Sequence, residues 1–193
     1  MAGNKESRWE WRVFSDAPFT ALAPLFRRLS ASNHKRNRDV YLISDEIAPG
    51  VNIKIRGGVM DAKLLLEASP MGVERWSPLW RCSFPPAPED MPQISSACGA
   101  ALAARLTRGG TGDTENLRFV AVDKARSIYI VENTIIEVGT ADFPGLRMFT
   151  LCAEGRALAL VEQFARGCRM EREPVTSYPA MLRRLLERPR HGN

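Results

Sequence analysis

The chain has 193 residues, enough for one domain with a substantial core, and its 45% hydrophobic and 25% charged content excludes a disordered or fibrous protein. A formal net charge of +5 favours an anionic partner, although part of the excess is terminal, at Arg183, Arg184, Arg188 and Arg190. No stretch approaches the roughly 18 apolar residues of a membrane span, and the first residues lack a secretory apolar run, so a cytoplasmic protein without a membrane partner is expected.

Residues 7–14 read as a first strand, with Trp9, Trp11 and Val13 on one face and Arg8, Glu10 and Arg12 on the other. Ser15 or Asp16 can cap a helix with Pro18 in its first turn, and Phe19, Leu22, Leu25, Phe26 and Leu29 recur at helical spacing to about residue 30, broken at Pro24. Arg27-Arg28 and His34-Lys35-Arg36 read as a solvated basic helix end. Strands follow at about 38–44, 50–56 and 61–68, separated by Ala48-Pro49-Gly50 and Gly57-Gly58 turns. In the second of these, Ile53 and Ile55 oppose Asn52, Lys54 and Arg56. A strand at 75–83 carries Trp76 and Trp80, read as packing residues, and Pro85-Pro86-Ala87-Pro88 must leave the sheet.

An Ala-rich helix at about 92–107, closed by Gly109-Gly110, precedes a loop at 111–116. Strands at about 117–125, 127–132, 134–142 and 146–154 then follow, with a tight turn near Glu132-Asn133. Helices at about 156–167 and 177–187 end the chain, the second capped by Ser177 with Pro179 in its first turn.

This order predicts an α+β fold: an eight- or nine-stranded antiparallel β-barrel with helices packed outside, as one domain. The helices decide which strand face is interior. Each needs an apolar surface to pack on, so the apolar strand face turns outward and the charged face lines the lumen. Two like charges about 4 Å apart repel by roughly 4 kcal/mol at an effective dielectric of 20, so such a lumen needs interspersed carboxylates, water or a bound polyanion. Cys82, Cys98, Cys152 and Cys168 form no CxxC pair and the only histidines are His34 and His191, which argues for four buried reduced thiols and against a zinc site, a disulfide framework or a His-based triad. Cys152 reads as a small buried residue.

Taken in order, several short motifs resemble the CYTH proteins, or triphosphate tunnel metalloenzymes. Glu10-Trp11-Arg12-Val13-Phe14 resembles that family's opening ExExK strand, Asp39-Val40-Tyr41 its D-x-Y strand and Ile53-Lys54-Ile55-Arg56 its L-R-I-R strand. Lys63 to Leu66 resembles the strand that follows, and Lys124-Ala125-Arg126 the later basic strand. Asp142 to Gly155 is similar to the segment closing on E-x-E, and Ser177 to Leu182 to the C-terminal S-Y-x-x-L.

The resemblance implies a barrel tunnel in which basic side chains grip a triphosphate while glutamates hold Mg²⁺ or Mn²⁺. Carried over by position, Glu10 and Glu154 become catalytic metal ligands, and Arg12, Lys54, Arg56, Lys63, Lys124 and Arg126 become substrate clamps. Three positions depart from the pattern: Arg8 and Cys152 stand where glutamates are expected, and Glu67 where a lysine is. One metal on Glu10 and Glu154, assisted by Glu67, Glu132 or Glu137, is what remains of the implied site.

The expected partner is therefore a small triphosphate or other polyanion rather than a nucleic acid. The chain is either a metal-dependent triphosphatase-type phosphohydrolase or a non-catalytic polyanion- or nucleotide-binding barrel that has lost its metal. A third reading is a structural barrel whose charged face neutralises itself.

Overall fold

Alternation of charge with bulk builds the strands of this computed structural model, which describes residues 6–109, 112–114, 116–170 and 173–187. Gly110, Thr111, Arg188, Arg190 and His191 lie outside the described residues. The strands are β1 (Arg8–Ser15), β2 (Asn33–Ser44), β3 (Val51–Arg56), β4 (Val59–Ala68), β5 (Glu74–Ser83), β6 (Leu117–Val131), β7 (Thr134–Phe143) and β8 (Leu146–Gly155). They close a barrel in the order β1-β5-β4-β3-β2-β6-β7-β8, with every pairing antiparallel. The count is eight because the runs expected at 117–125 and 127–132 are one unbroken strand, β6. β2 also starts earlier than expected, so His34, Lys35 and Arg36 are exposed strand residues paired with β6 and not a helix end.

The closure has two narrow seams. β2 and β3 share three residue pairs, Val40–Leu42 against Ile53–Ile55, and β1 and β5 share three, Arg8–Glu10 against Glu74–Trp76. They divide the wall into a three-strand part (β3, β4, β5) and a five-strand part (β2, β6, β7, β8, β1). Beyond the second seam, the backbone at Val13 bridges Val175, and Thr176 N–H donates to the Arg12 carbonyl at 2.9 Å.

The apolar strand faces point outward, onto helices. Ile53, Ile55, Met60 and Trp80 pack with Ile94, Ala97, Leu102 and Leu106 of α2 (Met91–Cys98) and α3 (Ala100–Thr107). The helix expected at 92–107 is thus two, because Gly99 at φ +76° ends the first in a backbone conformation that glycine tolerates best. Trp11 and Val13 pack with Val161, Ala165 and Cys168 of α4 (Leu158–Cys168). The stretch expected to be helical at 17–30 forms a 3₁₀ turn (Thr20–Leu22) and the six-residue α1 (Ala23–Arg28), with Pro24 in the first turn of α1.

Helix α5 (Tyr178–Glu187) lies outside the strands in a different way, across one end of the cylinder. Its Tyr178, Met181 and Leu182 pack with Phe14, Tyr41, Val120, Val122, Ala141 and Phe143. Several of these strand residues share the inward parity of the charged positions Arg12, Asp39 and Lys124, so α5 closes the barrel at that end. Phe14 meets Tyr178 edge-on at 5.0 Å and Tyr41 stacks on it at 5.6 Å.

Two bulges re-aim β4 and β5. Ala62 pairs with Trp80 but Lys63 pairs with Pro78, so Leu79 is the extra residue and is 44% exposed. The slip sends Trp80 to the outer core while Trp76 lines the lumen; simple alternation would keep both on one face. A second slip skips Leu66, which turns Glu67 out of the lumen to pair with Arg75 at 2.9 Å.

Candidate functional site

Because β-strand alternation is obeyed around most of the wall, inward positions of neighbouring strands converge on one cavity of about 170 Å³. All eight expected site residues line it: Glu10, Arg12, Lys54, Arg56, Lys63, Lys124, Arg126 and Glu154. Glu137, Tyr41, Asn52, Trp76 and Tyr178 share the lining. Glu67 and Glu132 do not; Glu67 is turned outward by the bulge at Leu66, and Glu132 is exposed in the β6–β7 turn at φ +46°.

The five-strand part of the wall is densely paired. Arg12 donates through Nε to Glu10 at 2.9 Å, through NH1 to Thr150 at 3.1 Å and through NH2 to Glu137 at 3.3 Å. Glu137 also accepts from Arg126 NH1 at 2.8 Å, and Arg126 NH2 donates to Asn37 at 2.5 Å. Asp39, fully buried, accepts from Lys124 Nζ at 2.8 Å and takes both Nε and NH2 of Arg56, at 2.5 and 2.6 Å. That bidentate pair spans the β2–β3 seam and fastens it.

These contacts set the titration. Burial raises the Glu10 carboxyl, but Arg12, Lys63 and Lys54 outweigh it and hold the group at about 2. Glu137 is lowered in the same way, its burial overcome by Arg12 and Arg126, and Asp39 falls well below the carboxylate range through Arg56 and Lys124 despite its burial. Burial depresses Lys124 although Asp39 opposes the shift, and its Nζ lies 3.4 Å from the Tyr178 ring centroid.

The three-strand part is sparsely paired. Lys54 Nζ has Asp61 at 3.6 Å, a charge contact beyond hydrogen-bond range, and Lys63 has no ion pair among the described residues. Burial lowers Lys54, with the neighbouring Lys63 and Arg56 adding to the shift and Asp61 opposing it. Two ammonium groups therefore share this part of the lumen with looser counter-charge than the arginines have. It comes from Asp61 beside Lys54, and from Glu10, whose carboxylate both lysines influence without an ion pair to it among the described residues.

The lumen opens at the end opposite α5. Lys63, Trp76 and Glu154 continue from the cavity into a mouth lined also by Glu6, Arg8, Pro78 and Arg156. Here the donor set can be tested against the divalent cation that the resemblance implies. Glu10 and Glu154 are direct cross-strand partners, so two carboxylates do stand together. Yet Glu154 accepts from Arg8 NH1 at 3.2 Å and Glu10 from Arg12, and no group of three or more His, Cys, Asp or Glu able to hold a metal occurs among the described residues. The residues present do not build a site for a resident metal.

Cys152 lies between these groups, cross-strand to both Arg12 and Glu137, wholly buried with its thiol pushed well up by burial. It is a packing residue facing the lumen. Cys98 and Cys168 are also buried and free; Cys82 is free but only half-buried, short of the burial expected. The residues that sequence reasoning left without a role are Asp39, Asn37, Tyr41, Thr150 and Tyr178. Period-two alternation along Asn37-Asp39-Tyr41 carried the signal for three of them.

No protein-family model matches the sequence, and no curated protein matches it. Among solved structures, the chain is similar to a conserved hypothetical protein from Pyrococcus furiosus, with TM-score 0.56 and 13% identity over 88% of this chain and 98% of that one. It is similar to a protein from Pyrococcus horikoshii, with TM-score 0.54 and 15% identity over 88% and 97%. A Hippeastrum protein studied as a candidate adenylyl cyclase, and described as having a dominant triphosphatase activity, matches with TM-score 0.55 and 13% identity over 93% and 95%. At these identities the likeness is one of fold: the closed eight-stranded barrel with helices outside that the sequence resemblance implies.

Proposed function

We propose that this CYTH-type barrel binds a small triphosphate or other polyphosphate anion in its basic lumen. The observation that carries the reading is convergence: six cationic side chains from four strands, Arg12, Lys54, Arg56, Lys63, Lys124 and Arg126, line one cavity. A self-neutralised structural barrel would pair all of them closely, yet Lys54 has its carboxylate, Asp61, only at 3.6 Å and Lys63 has no ion pair among the described residues. A chain of phosphates supplies the missing acceptors and brings several negative charges into a site open at one end.

The test is thermal denaturation with tripolyphosphate, in EDTA and again with Mg²⁺ or Mn²⁺. A ligand at 100 times its Kd stabilises a fold by about 2.7 kcal/mol, so a clear rise in Tm in EDTA is expected. No rise with tripolyphosphate, pyrophosphate or ATP under either condition removes the reading.

A second reading, favoured by the cross-strand placement of Glu10 and Glu154, adds divalent-metal-dependent hydrolysis of the bound anion. Because the described residues build no site for a resident metal, the cation would have to arrive with the phosphate chain. Phosphate release from tripolyphosphate that requires Mg²⁺ or Mn²⁺ and disappears with Glu10→Gln supports it; binding without release leaves the non-catalytic binder.

A further inference from the structure

Four buried side-chain polar atoms among the described residues have no hydrogen-bond partner: Trp80 Nε1, Arg126 Nε, Thr176 Oγ1 and Tyr178 OH. Two of them, Arg126 Nε and Tyr178 OH, belong to residues that line the lumen. Both side chains are more than nine-tenths buried, Arg126 at 8% exposure and Tyr178 at 5% for the whole residue. An unpaired buried donor is costly, so this coincidence in one cavity asks for an acceptor.

The surroundings show which acceptor fits. The cations around Tyr178 are Arg12, whose guanidinium carbon is 4.8 Å from the ring centroid, Lys124 at 3.4 Å, and Arg126, whose charge acts on the phenol. Burial nonetheless pushes the phenol up to about 12 against the pull of Arg12 and Arg126, so it keeps its proton at neutral pH and can donate. The carboxylate whose charge acts on the phenol, Glu137, already receives Arg126 NH1 on one oxygen and Arg12 NH2 on the other. Arginine offers only donors, and so does a protonated lysine. The residues here supply hydrogens in excess, and what they lack is an oxygen-rich anion.

We infer that the end of the lumen closed by α5 is a phosphoryl-oxygen subsite in which the Tyr178 hydroxyl and Arg126 Nε–H are the donors, so that a phosphate chain enters from the open mouth with its terminal phosphate first. The inference rests on the polyphosphate reading and adds to it a neutral donor, delivered by the C-terminal helix, that distinguishes the deep phosphate from those gripped nearer the mouth by Lys54 and Lys63. A buried water would also satisfy both donors, and the experiment separates it from an anion.

The experiment is Tyr178→Phe in the full chain, with tripolyphosphate affinity measured by titration calorimetry in EDTA and Tm measured without ligand. Loss of a hydrogen bond to a charged acceptor weakens binding about tenfold or more, and removal of an unpaired hydroxyl leaves the ligand-free Tm unchanged or raised. Those two results together are expected. Affinity equal to wild type overturns the subsite, and so does a lowered ligand-free Tm, which would assign the hydroxyl a water or structural partner. Absence of tripolyphosphate binding by the wild-type chain instead overturns the polyphosphate reading itself.

Discussion

The two parts of the barrel wall use basic residues in opposite ways. On the five-strand side, Arg12, Lys124 and Arg126 are locked to Glu10, Asp39 and Glu137, and Arg56 reaches across the seam to join them. On the three-strand side, Lys54 and Lys63 face the same space with Asp61 at 3.6 Å from Lys54 as the one carboxylate contact shown for them. A buried cation with a partner belongs to the scaffold, and removing the partner is expensive; a cation without one is available to a ligand. The difference teaches that a row of arginines and lysines in a sequence is not one feature but two, separated by where the acids fall.

The largest effect that could break this comparison comes from Asp39→Asn. It strips the counter-charge from buried Lys124 and loosens the Arg56 staple, so a loss of about 3–5 kcal/mol in urea denaturation is expected. A loss below about 1 kcal/mol would mean that Lys124 already sits there neutral. Next comes acid. In the folded chain Glu10 titrates at about 2, well below the ordinary glutamate range, so between the two the unfolded chain binds more protons than the folded one. The stability that Glu10 contributes is complete above that window and is lost as pH falls through it, an effect on the order of 3 kcal/mol that Asp39 and Glu137 reinforce. Denaturation midpoints followed from pH 6 to about pH 2 should fall steeply; a flat profile would contradict the pairing described for the five-strand side.

Lys54→Ala combined with Lys63→Ala sharpens the other half. Tripolyphosphate affinity should drop by about 2 kcal/mol or more while stability holds or rises, because two poorly compensated charges are removed. Lost stability with unchanged affinity would move these lysines into the scaffold class. The smallest effect belongs to the mouth: Arg8 is 43% exposed, and Arg8→Gln, which only removes its ion pair with Glu154, should change stability by no more than about 1 kcal/mol. Charge reversal there, Arg8→Glu, sets a third carboxylate beside Glu10 and Glu154, so Mn²⁺ should raise the Tm of that variant and not of the wild type.

How much of this was legible beforehand follows from the range of each determinant. Inward Glu10 and Arg12, and inward Lys54 and Arg56, follow from alternation within a few residues, and helical periodicity nearby says which face must be covered. The bulges at Leu66 and Leu79 are fixed by pairing between β4 and β5, and no local signal announces that Trp76 and Trp80 part company or that Glu67 leaves the lumen. Residue type alone did not divide the cations into paired and unpaired, because the partners come from other strands: Glu137 is 125 residues from Arg12, and Asp39 is 85 from Lys124. Arg8 is the clearest case. The sequence places it where an acid is expected, and the structure shows it donating to Glu154, the acid that remains.

Helix α5 lying across one end of the barrel has a kinetic consequence. A vessel with one opening imposes an order on whatever occupies it end-on. The first group in is the last group out, and if a chain lying in the lumen were cut, the piece nearer the mouth would have to leave before the deeper one could follow. Departure would then be slowest for the fragment lodged against Tyr178, whatever the speed of the cut.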